Sequence, residues 1–113
     1  MGIDSNRRVR DFDVRVAVDQ GRPALSVAGQ LDAHSAGRFE ELLTHVIEST
    51  TQDVVVGLAG LESIGSAGVG AFRRAVERLR VDERELIVRS PTPAVYRALD
   101  VAGVTPTVRI ERS

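Results

Sequence analysis

The sequence contains no cysteine, which excludes disulfide bonds, thiolate metal sites and cysteine nucleophiles. Aromatic residues are scarce, with three Phe, one Tyr and no Trp among 113 residues, so the core must be built from aliphatic side chains. No apolar run approaches the roughly 20 residues that span a bilayer, and the first residues lack the apolar segment of a secretory signal. We therefore expect a cytoplasmic protein that does not insert into a membrane.

Charge of one sign is not in excess either. Fifteen Lys and Arg side chains oppose 16 Asp and Glu side chains, giving a formal net charge of −1, so no strong field draws the protein to nucleic acid. Nucleic acid is accordingly not expected as a partner.

The length fits one domain. The polar start of the chain predicts a flexible N-terminal segment over residues 1–11, followed by a folded domain over residues 12–111.

Apolar periodicity predicts the elements of that domain. An alternating pattern, typical of a half-buried strand, runs through Phe12, Val14, Val16 and Val18. A turn signal over residues 19–23 precedes a second strand, which suggests an antiparallel pair. The predicted order is strand 12–18, strand 24–28, helix 36–49, strand 53–58, loop 59–65, helix 66–80, strand 85–89, helix 91–102 and strand 107–110.

This β-β-α-β-α-β-α-β order predicts a single-domain α/β fold with a mostly parallel mixed sheet and helices packed on it. The first strand is the expected antiparallel exception. The run Asp53–Leu58 lacks alternation, which is typical of a strand buried on both faces. Ser90 as N-cap and Pro91 at the first helical position predict the start of the third helix, and Gly103 predicts its end.

The loop after the central strand is the first place to look for chemistry, because sites in such sheets gather at the carboxyl ends of strands. Gly60 and Gly65 have the separation of a phosphate-binding P-loop, but Ser66 occupies the position of its lysine. The glycines that follow have the wrong spacing for a dinucleotide turn. Ile64 occupies the position of the first glycine of a hydrolase elbow. These departures argue against an enzyme, so no catalytic residue and no cofactor are predicted.

The remaining titratable residues do not suggest a reaction centre. His34 and His45 are the two histidines, and we interpret His34 as part of a helix start and His45 as a solvated side chain. No spacing of His and carboxylates is typical of a metal site, so no metal is predicted. A phosphoaspartate receiver needs a carboxylate at the end of its central strand, where this chain has Gly57 and Leu58.

One candidate of another kind is Ser66. It is predicted to lie at the N-terminus of the second helix, where unpaired N–H groups and the positive end of the helix dipole favour a phosphate. A phosphoryl group would add roughly −1.5 to −2 charges to a nearly neutral protein, which would alter the affinity of a partner docked there. The alternative, which the local features taken alone favour, is that Ser63 or Ser66 serves only as an N-cap.

Three segments, taken together, resemble the STAS domain family, which includes bacterial anti-sigma factor antagonists. They are Val27-Ala28-Gly29-Gln30-Leu31-Asp32, Val54-Val55-Val56-Gly57-Leu58 and Ile64-Gly65-Ser66-Ala67-Gly68-Val69. The end of the third helix, Leu99-x-x-x-Gly103-Val104, is similar as well. The resemblance extends from about Phe12 to Ile110, and the order and spacing of the motifs carry it.

The resemblance implies a STAS fold and a switch. The unphosphorylated protein is expected to bind an anti-sigma factor that is also a serine kinase, and phosphorylation at Ser66 is expected to break that complex. The protein would then be a kinase substrate and not an enzyme. The expected partner-binding surface consists of Asp32, Ser63, Ile64, Gly65, Ala67, Gly68, Val69 and Arg73. Asp32 is alternatively a helix cap, and Arg73 is alternatively part of a solvated basic flank.

Two positions depart from the family pattern, because members usually carry Asp where this chain has Gly65 and Gly57. Loss of both carboxylates makes the loop less acidic and more flexible. This departure motivates a second hypothesis, a non-phosphorylated STAS-like scaffold or accessory subunit of a larger complex, including a transporter. A third hypothesis is a small-ligand or nucleotide-binding domain that uses the glycine-rich loop.

Overall fold

Five strands and three helices make up the part of the chain that the computed structural model describes, residues 12–112. The prediction for residues 1–11 lies outside this part. In chain order the elements are β1 Phe12–Asp19, β2 Arg22–Leu31, α1 Ala36–Glu48, β3 Val54–Ile64, α2 Ser66–Val81, β4 Leu86–Arg89, α3 Pro93–Val101, a 3-10 turn Thr105–Thr107 and β5 Arg109–Glu111.

The strands form one sheet in the order β1-β2-β3-β4-β5. Strand β1 is antiparallel to β2, and the other three pairs are parallel, which confirms the predicted mixed α/β sheet. The hairpin between β1 and β2 turns at Gln20 and Gly21, whose φ angles are 54° and 82°. Two positive φ values are typical of the two-residue turn that matches the twist of an antiparallel pair.

All three helices pack on one face of the sheet. Their buried residues join those of the strands in a single cluster, in which the Phe39 and Phe72 rings lie 5.4 Å apart. A second cluster on the opposite face consists of Ala24, Val55 and Ile87, one residue from each central strand. Strand β3 therefore contributes buried side chains to both faces, as its β-branched run predicts.

The opposite face also carries a cluster of charges. Arg89 on β4 donates hydrogen bonds to Asp19 on β1 at 2.7 Å and to Glu111 on β5 at 2.9 Å. Arg22 on β2 lies 3.4 Å from Asp19 and 3.7 Å from Glu111. The hydrogen bonds from Arg89 lower the pKa of both carboxyl groups and raise that of Arg89 itself. The cluster thus connects the hairpin to the far edge of the sheet.

The prediction of a loop over residues 59–65 is wrong, because β3 continues to Ile64. Strand β2 is likewise longer than predicted and ends at Leu31. The two strands stay paired to their ends through register shifts after Ser26 and Gly29. Pairing with β2 supplies the hydrogen bonds that a glycine-containing segment would otherwise leave open.

The predicted start of the third helix is also wrong, because the N-cap lies two residues later than Ser90. The N-cap of α3 is Thr92, whose hydroxyl accepts from the Val95 N–H, and Pro93 is the first helical residue. Ser90 instead has a φ of 52°, and its N–H donates to the Glu111 carbonyl. The sequence offers two successive hydroxyl residues that each precede a proline, Ser90-Pro91 and Thr92-Pro93. The helix begins at the second of them. Gly103, with a φ of 79°, follows the helix end, as predicted.

Candidate functional site

The carboxyl ends of β2 and β3 lie side by side, and the candidate residues follow both. Leu31 and Ile64 are register partners, and the Gly65 N–H donates to the Leu31 carbonyl at 2.8 Å. A Cβ atom on Gly65 would lie 3.9 Å from Asp32 Cα. The structure therefore brings Asp32 next to the segment that begins α2.

Asp32 closes the turn that leads into α1. Its Oδ1 accepts from the N–H groups of His34 at 2.9 Å and Ser35 at 3.2 Å, and these bonds lower the pKa of its carboxyl group, that from His34 the most. Ser35 occupies the N-cap position without a side-chain cap bond, and its hydroxyl donates to the Gln30 carbonyl. These hydrogen bonds stabilise the turn. Asp32 is also exposed to solvent, next to the segment that begins α2.

Ser66 is the first residue of α2, and the N-cap is Gly65. The interpretation of Ser63 or Ser66 as the N-cap is therefore wrong. Ser66 is exposed, and its hydroxyl makes no hydrogen bond to any residue between 12 and 112. Since Gly65 offers no side-chain oxygen, the first N–H groups of α2 stay uncapped from that side. This is the end of a helix dipole that attracts an anion.

Gly68 serves packing and does not form the surface to which the sequence assigned it. It is buried, and a Cβ atom there would lie 2.8 Å from Leu31 Cγ and 2.9 Å from Ile64 Cγ1. The first turn of α2 thus sits directly on the two strand ends. Val69 is 9% exposed, and it lines the groove described next.

A groove of about 560 Å³ runs between α2 and α3 and opens beside Ser66. Arg73 crosses it and donates to the Ala102 carbonyl at 2.6 Å, and Arg97 lines it from α3. Val101, another lining residue, is 82% exposed. The remaining lining residues are mostly small or apolar: Ile64, Gly65, Val69, Gly70, Ala94 and Ala98.

The other residues of the predicted surface fall around this groove and the β3 end. Ser63 is exposed, and Ala67 is half-buried. The neighbouring Arg74 points elsewhere, because both its Nε and Nη2 donate to the Glu40 carboxylate on α1, at 2.5 and 2.9 Å. The pKa of Glu40 is lowered by that contact. Arg73 and Arg74 therefore brace α2 against different helices.

Gly57 does not belong to the site. The resemblance to the family placed Gly57 at the end of the central strand. In the structure β3 continues for seven residues beyond it, which is about 23 Å at about 3.3 Å per residue. Val56 and Leu58 join the helix-side core, so Gly57 faces the opposite side of the sheet. Of the two departures from the family pattern, only Gly65 lies beside Ser66.

Sequence reasoning missed the contribution of α3, namely Arg97 and Val101. The periodicity of α3 did contain a signal. Val101 lies outside the stripe that buries Val95 and Leu99, and an apolar residue out of phase with its helix is a candidate for an exposed contact.

The described residues contain neither a metal-binding cluster nor a membrane-spanning helix. No group of three or more His, Asp or Glu side chains between residues 12 and 112 is arranged to hold a metal ion. In the same range, no helix has the length and apolar character needed to cross a membrane.

Comparison with known proteins gives a consistent result. The family model for the STAS domain matches residues 13–113. The Anti-sigma-B factor antagonist of Staphylococcus aureus is 24% identical over 86 residues, which cover 76% of this chain and 80% of that protein. The corresponding protein of Staphylococcus epidermidis is 26% identical with the same coverage.

Solved structures show the same fold. An anti-sigma factor antagonist from Mycobacterium paratuberculosis has a TM-score of 0.80 at 23% identity, covering 88% of this chain and 85% of that one. Unphosphorylated SpoIIAA has a TM-score of 0.75 at 17% identity, with 89% and 88% covered. Its phosphorylated form, from Bacillus, has 0.69 at 16% identity, with 90% of each covered. Because the family model spans nearly the whole chain, this chain belongs to the STAS domain family.

Proposed function

We propose that this protein is an anti-sigma factor antagonist, that its partner is an anti-sigma factor with serine kinase activity, and that phosphorylation of Ser66 switches it off. The observation that carries the proposal is the exposed position of Ser66 at the start of α2. Its hydroxyl is exposed at the uncapped start of a sixteen-residue helix, beside Asp32 and the open end of the groove.

The names of relatives support the proposal. The two staphylococcal proteins are antagonists of anti-sigma-B factor, and SpoIIAA has been solved with and without phosphate. The protein would act by binding and not by catalysis, as a substrate of its partner.

The local electrostatics supply a mechanism. A phosphate on Ser66 would bring roughly −1.5 to −2 charges to a place where Asp32 already carries one. Arg73 and Arg97 line the groove on either side of its apolar floor, so a partner that fits it carries carboxylates around an apolar segment. Such a partner would be repelled by the phosphate, and the complex would dissociate.

The direct test is phosphorylation by the anti-sigma factor kinase of the same organism, with ATP, followed by mapping of the phosphate. Ser66→Ala is expected to abolish incorporation, and Ser63→Ala, which changes a neighbouring exposed hydroxyl, is expected to retain it. Calorimetry with the same kinase is expected to show binding of Ser66→Ala and loss of binding for the phosphorylated wild type. Phosphate found elsewhere and retained in Ser66→Ala would contradict the switch.

Gly65→Asp tests whether the missing family carboxylate limits the switch. Its backbone has a φ of −99°, and the nearest atoms to a new Cβ are 3.8 Å away, so the substitution fits without strain. We expect it to raise the rate of phosphorylation. If neither Gly65→Asp nor the wild type is modified, and the chain is recovered with a transporter or another assembly, the scaffold hypothesis gains support.

A further inference from the structure

Strand β1 leaves an apolar strip uncovered at the edge of the sheet. Phe12 and Val14 pack against the core, but Val16 and Val18, on the same face, are 56% and 75% exposed. They are two of the four large apolar side chains with substantial exposure in the described chain. The second half of β1 therefore carries apolar surface that the helices of its own domain do not cover.

The backbone of β1 has an open edge in the same place. Asp19 and Arg22 flank the two-residue turn, and the residues that flank such a turn form a hydrogen-bonded pair. Counting back in steps of two, residues 17, 15 and 13 bond to β2, so the N–H and C=O groups of Val14, Val16 and Val18 point away from it. No strand within residues 12–112 pairs with that edge.

The charges of β1 are self-complementary in one antiparallel register. When two copies pair around a two-fold axis at Ala17, Val16 of each copy lies opposite Val18 of the other, and both have outward-pointing backbone groups. In the same register Arg15 lies opposite Asp19. Both hydrogen bonds to Asp19 reach its Oδ2, and Oδ1 accepts none from residues 12–112.

Neighbouring registers are less favourable. An axis at Val16 sets Asp13 opposite Asp19, and an axis at Arg15 sets this residue opposite itself, so like charges meet in both. An axis at Val14 pairs Asp13 with Arg15 but sets Val18 opposite position 10, where the sequence has a charged Arg and no apolar residue. The exposed contact between Arg15 and Asp13 within one chain, at 3.3 Å, is of a kind that contributes little and does not prevent Arg15 from bonding across the axis.

We propose that two copies of this chain associate through their β1 strands, in the register centred on Ala17, to form a continuous ten-stranded sheet. The two-fold axis places the helices of both copies on the same face and the two Ser66 segments at opposite ends of the sheet. One strand pair buries less surface than the roughly 1,200 Å² of a small stable complex, so we expect a weak, concentration-dependent dimer. This proposal does not depend on the proposed function.

Sedimentation measures the association. Between roughly 10 µM and 1 mM, the range in which a small interface becomes populated, the weight-average mass of the wild type is expected to rise toward twice that of the monomer. Val18→Lys is expected to keep the monomer mass throughout. Val101→Lys, which changes a similarly exposed valine on α3, is expected to behave as the wild type. A wild type that stays monomeric at 1 mM would overturn the proposal.

Cysteine cross-linking tests the register, and the absence of natural cysteine makes single substitutions unambiguous. In the proposed register Ala17 faces Ala17 of the second copy in a non-hydrogen-bonded pair, with Cα atoms about 4.5 Å apart, within disulfide range. Val16 faces Val18, so its own counterpart is out of reach. Ala17→Cys is expected to form a disulfide dimer under mild oxidation many times faster than Val16→Cys. Equal rates, or a faster Val16→Cys, would reject this register.

Discussion

Gly65 and Gly68 lie three positions apart at the start of α2, and they differ in what a side chain would meet. At residue 68, Leu31 and Ile64 are so close that any Cβ atom would collide with them. At residue 65, the backbone is extended and the nearest atoms leave room. Packing therefore requires glycine at position 68, and position 65 accepts other residues.

Packing also distinguishes two glycines within α2, Gly68 and Gly70, and predicts opposite effects of alanine at them. Gly68→Ala is expected to lower the free energy of unfolding by up to about 2 kcal/mol, because the usual cost of overpacking, about 1–3 kcal/mol, is only partly offset by the ~1 kcal/mol that alanine gains in a helix. Gly70→Ala meets only the flexible end of Arg74, at 3.4 Å, and is expected to stabilise by about 0.5–1 kcal/mol. Urea unfolding followed by circular dichroism compares them, and equal stabilities would contradict the packing argument.

At the scale of residues, a role can be predicted from the sequence when the residues that determine it are near one another in the chain. The position of Ser66 at a helix start follows from local signals, and the structure agrees. The packing role of Gly68 depends on contact with Leu31, 37 positions earlier, which no local pattern encodes. For the same reason the groove between Arg73 and Arg97 could not be foreseen from either helix alone.

At the scale of elements, α1 and α2 were predictable because apolar spacing is a local property, and both end within a residue or two of the prediction. The second half of β3 was not. Gly60 and the exposed Glu62 and Ser63 are typical of a loop, yet pairing from Ala28 to Leu31 holds them in a strand. Strand formation depends on neighbours in space more than on intrinsic preference.

The start of α3 gives a prediction about a single hydroxyl. Thr92 Oγ1 accepts from the Val95 N–H at 3.4 Å and donates to the Leu61 carbonyl at 3.2 Å, so it caps the helix and ties it to β3. Thr92→Ala is expected to lower the free energy of unfolding by about 1 kcal/mol, and Thr92→Ser to retain most of it. Thermal unfolding of the pair is the measurement. A Ser variant as unstable as the Ala variant would show that the methyl group, not the hydroxyl, matters.

At the scale of the whole molecule, the charges around Arg89 connect strands that are far apart in the sheet. Asp19 belongs to the first strand and Glu111 to the last, and both pKa values are lowered chiefly by hydrogen bonds from Arg89. A lowered folded pKa means that the stabilisation is complete above the ordinary carboxyl value, about 4. It is lost as the pH falls through the lower folded values.

Arg89→Met should therefore weaken the dependence of stability on pH. The wild type is expected to lose stability between about pH 5 and pH 2, and the variant to lose less over that interval, although it is less stable at pH 7. Arg78→Met removes an exposed arginine near Glu48 and Asp82 and should leave the wild-type profile intact. Urea unfolding at pH 7 and pH 3 decides the matter, and an unchanged difference in Arg89→Met would contradict this assignment.

The order of the strands in the sheet is also their order in the chain, which matters during synthesis. Each strand joins beside the one made just before it, so a chain emerging from the ribosome never has to open a sheet already formed. Once residues through Val81 have emerged, they include β2, β3 and α2, the elements whose ends meet at Ser66. The groove also needs α3, so a partner that contacts both Ser66 and the groove would bind only after residues through Ala102 have emerged.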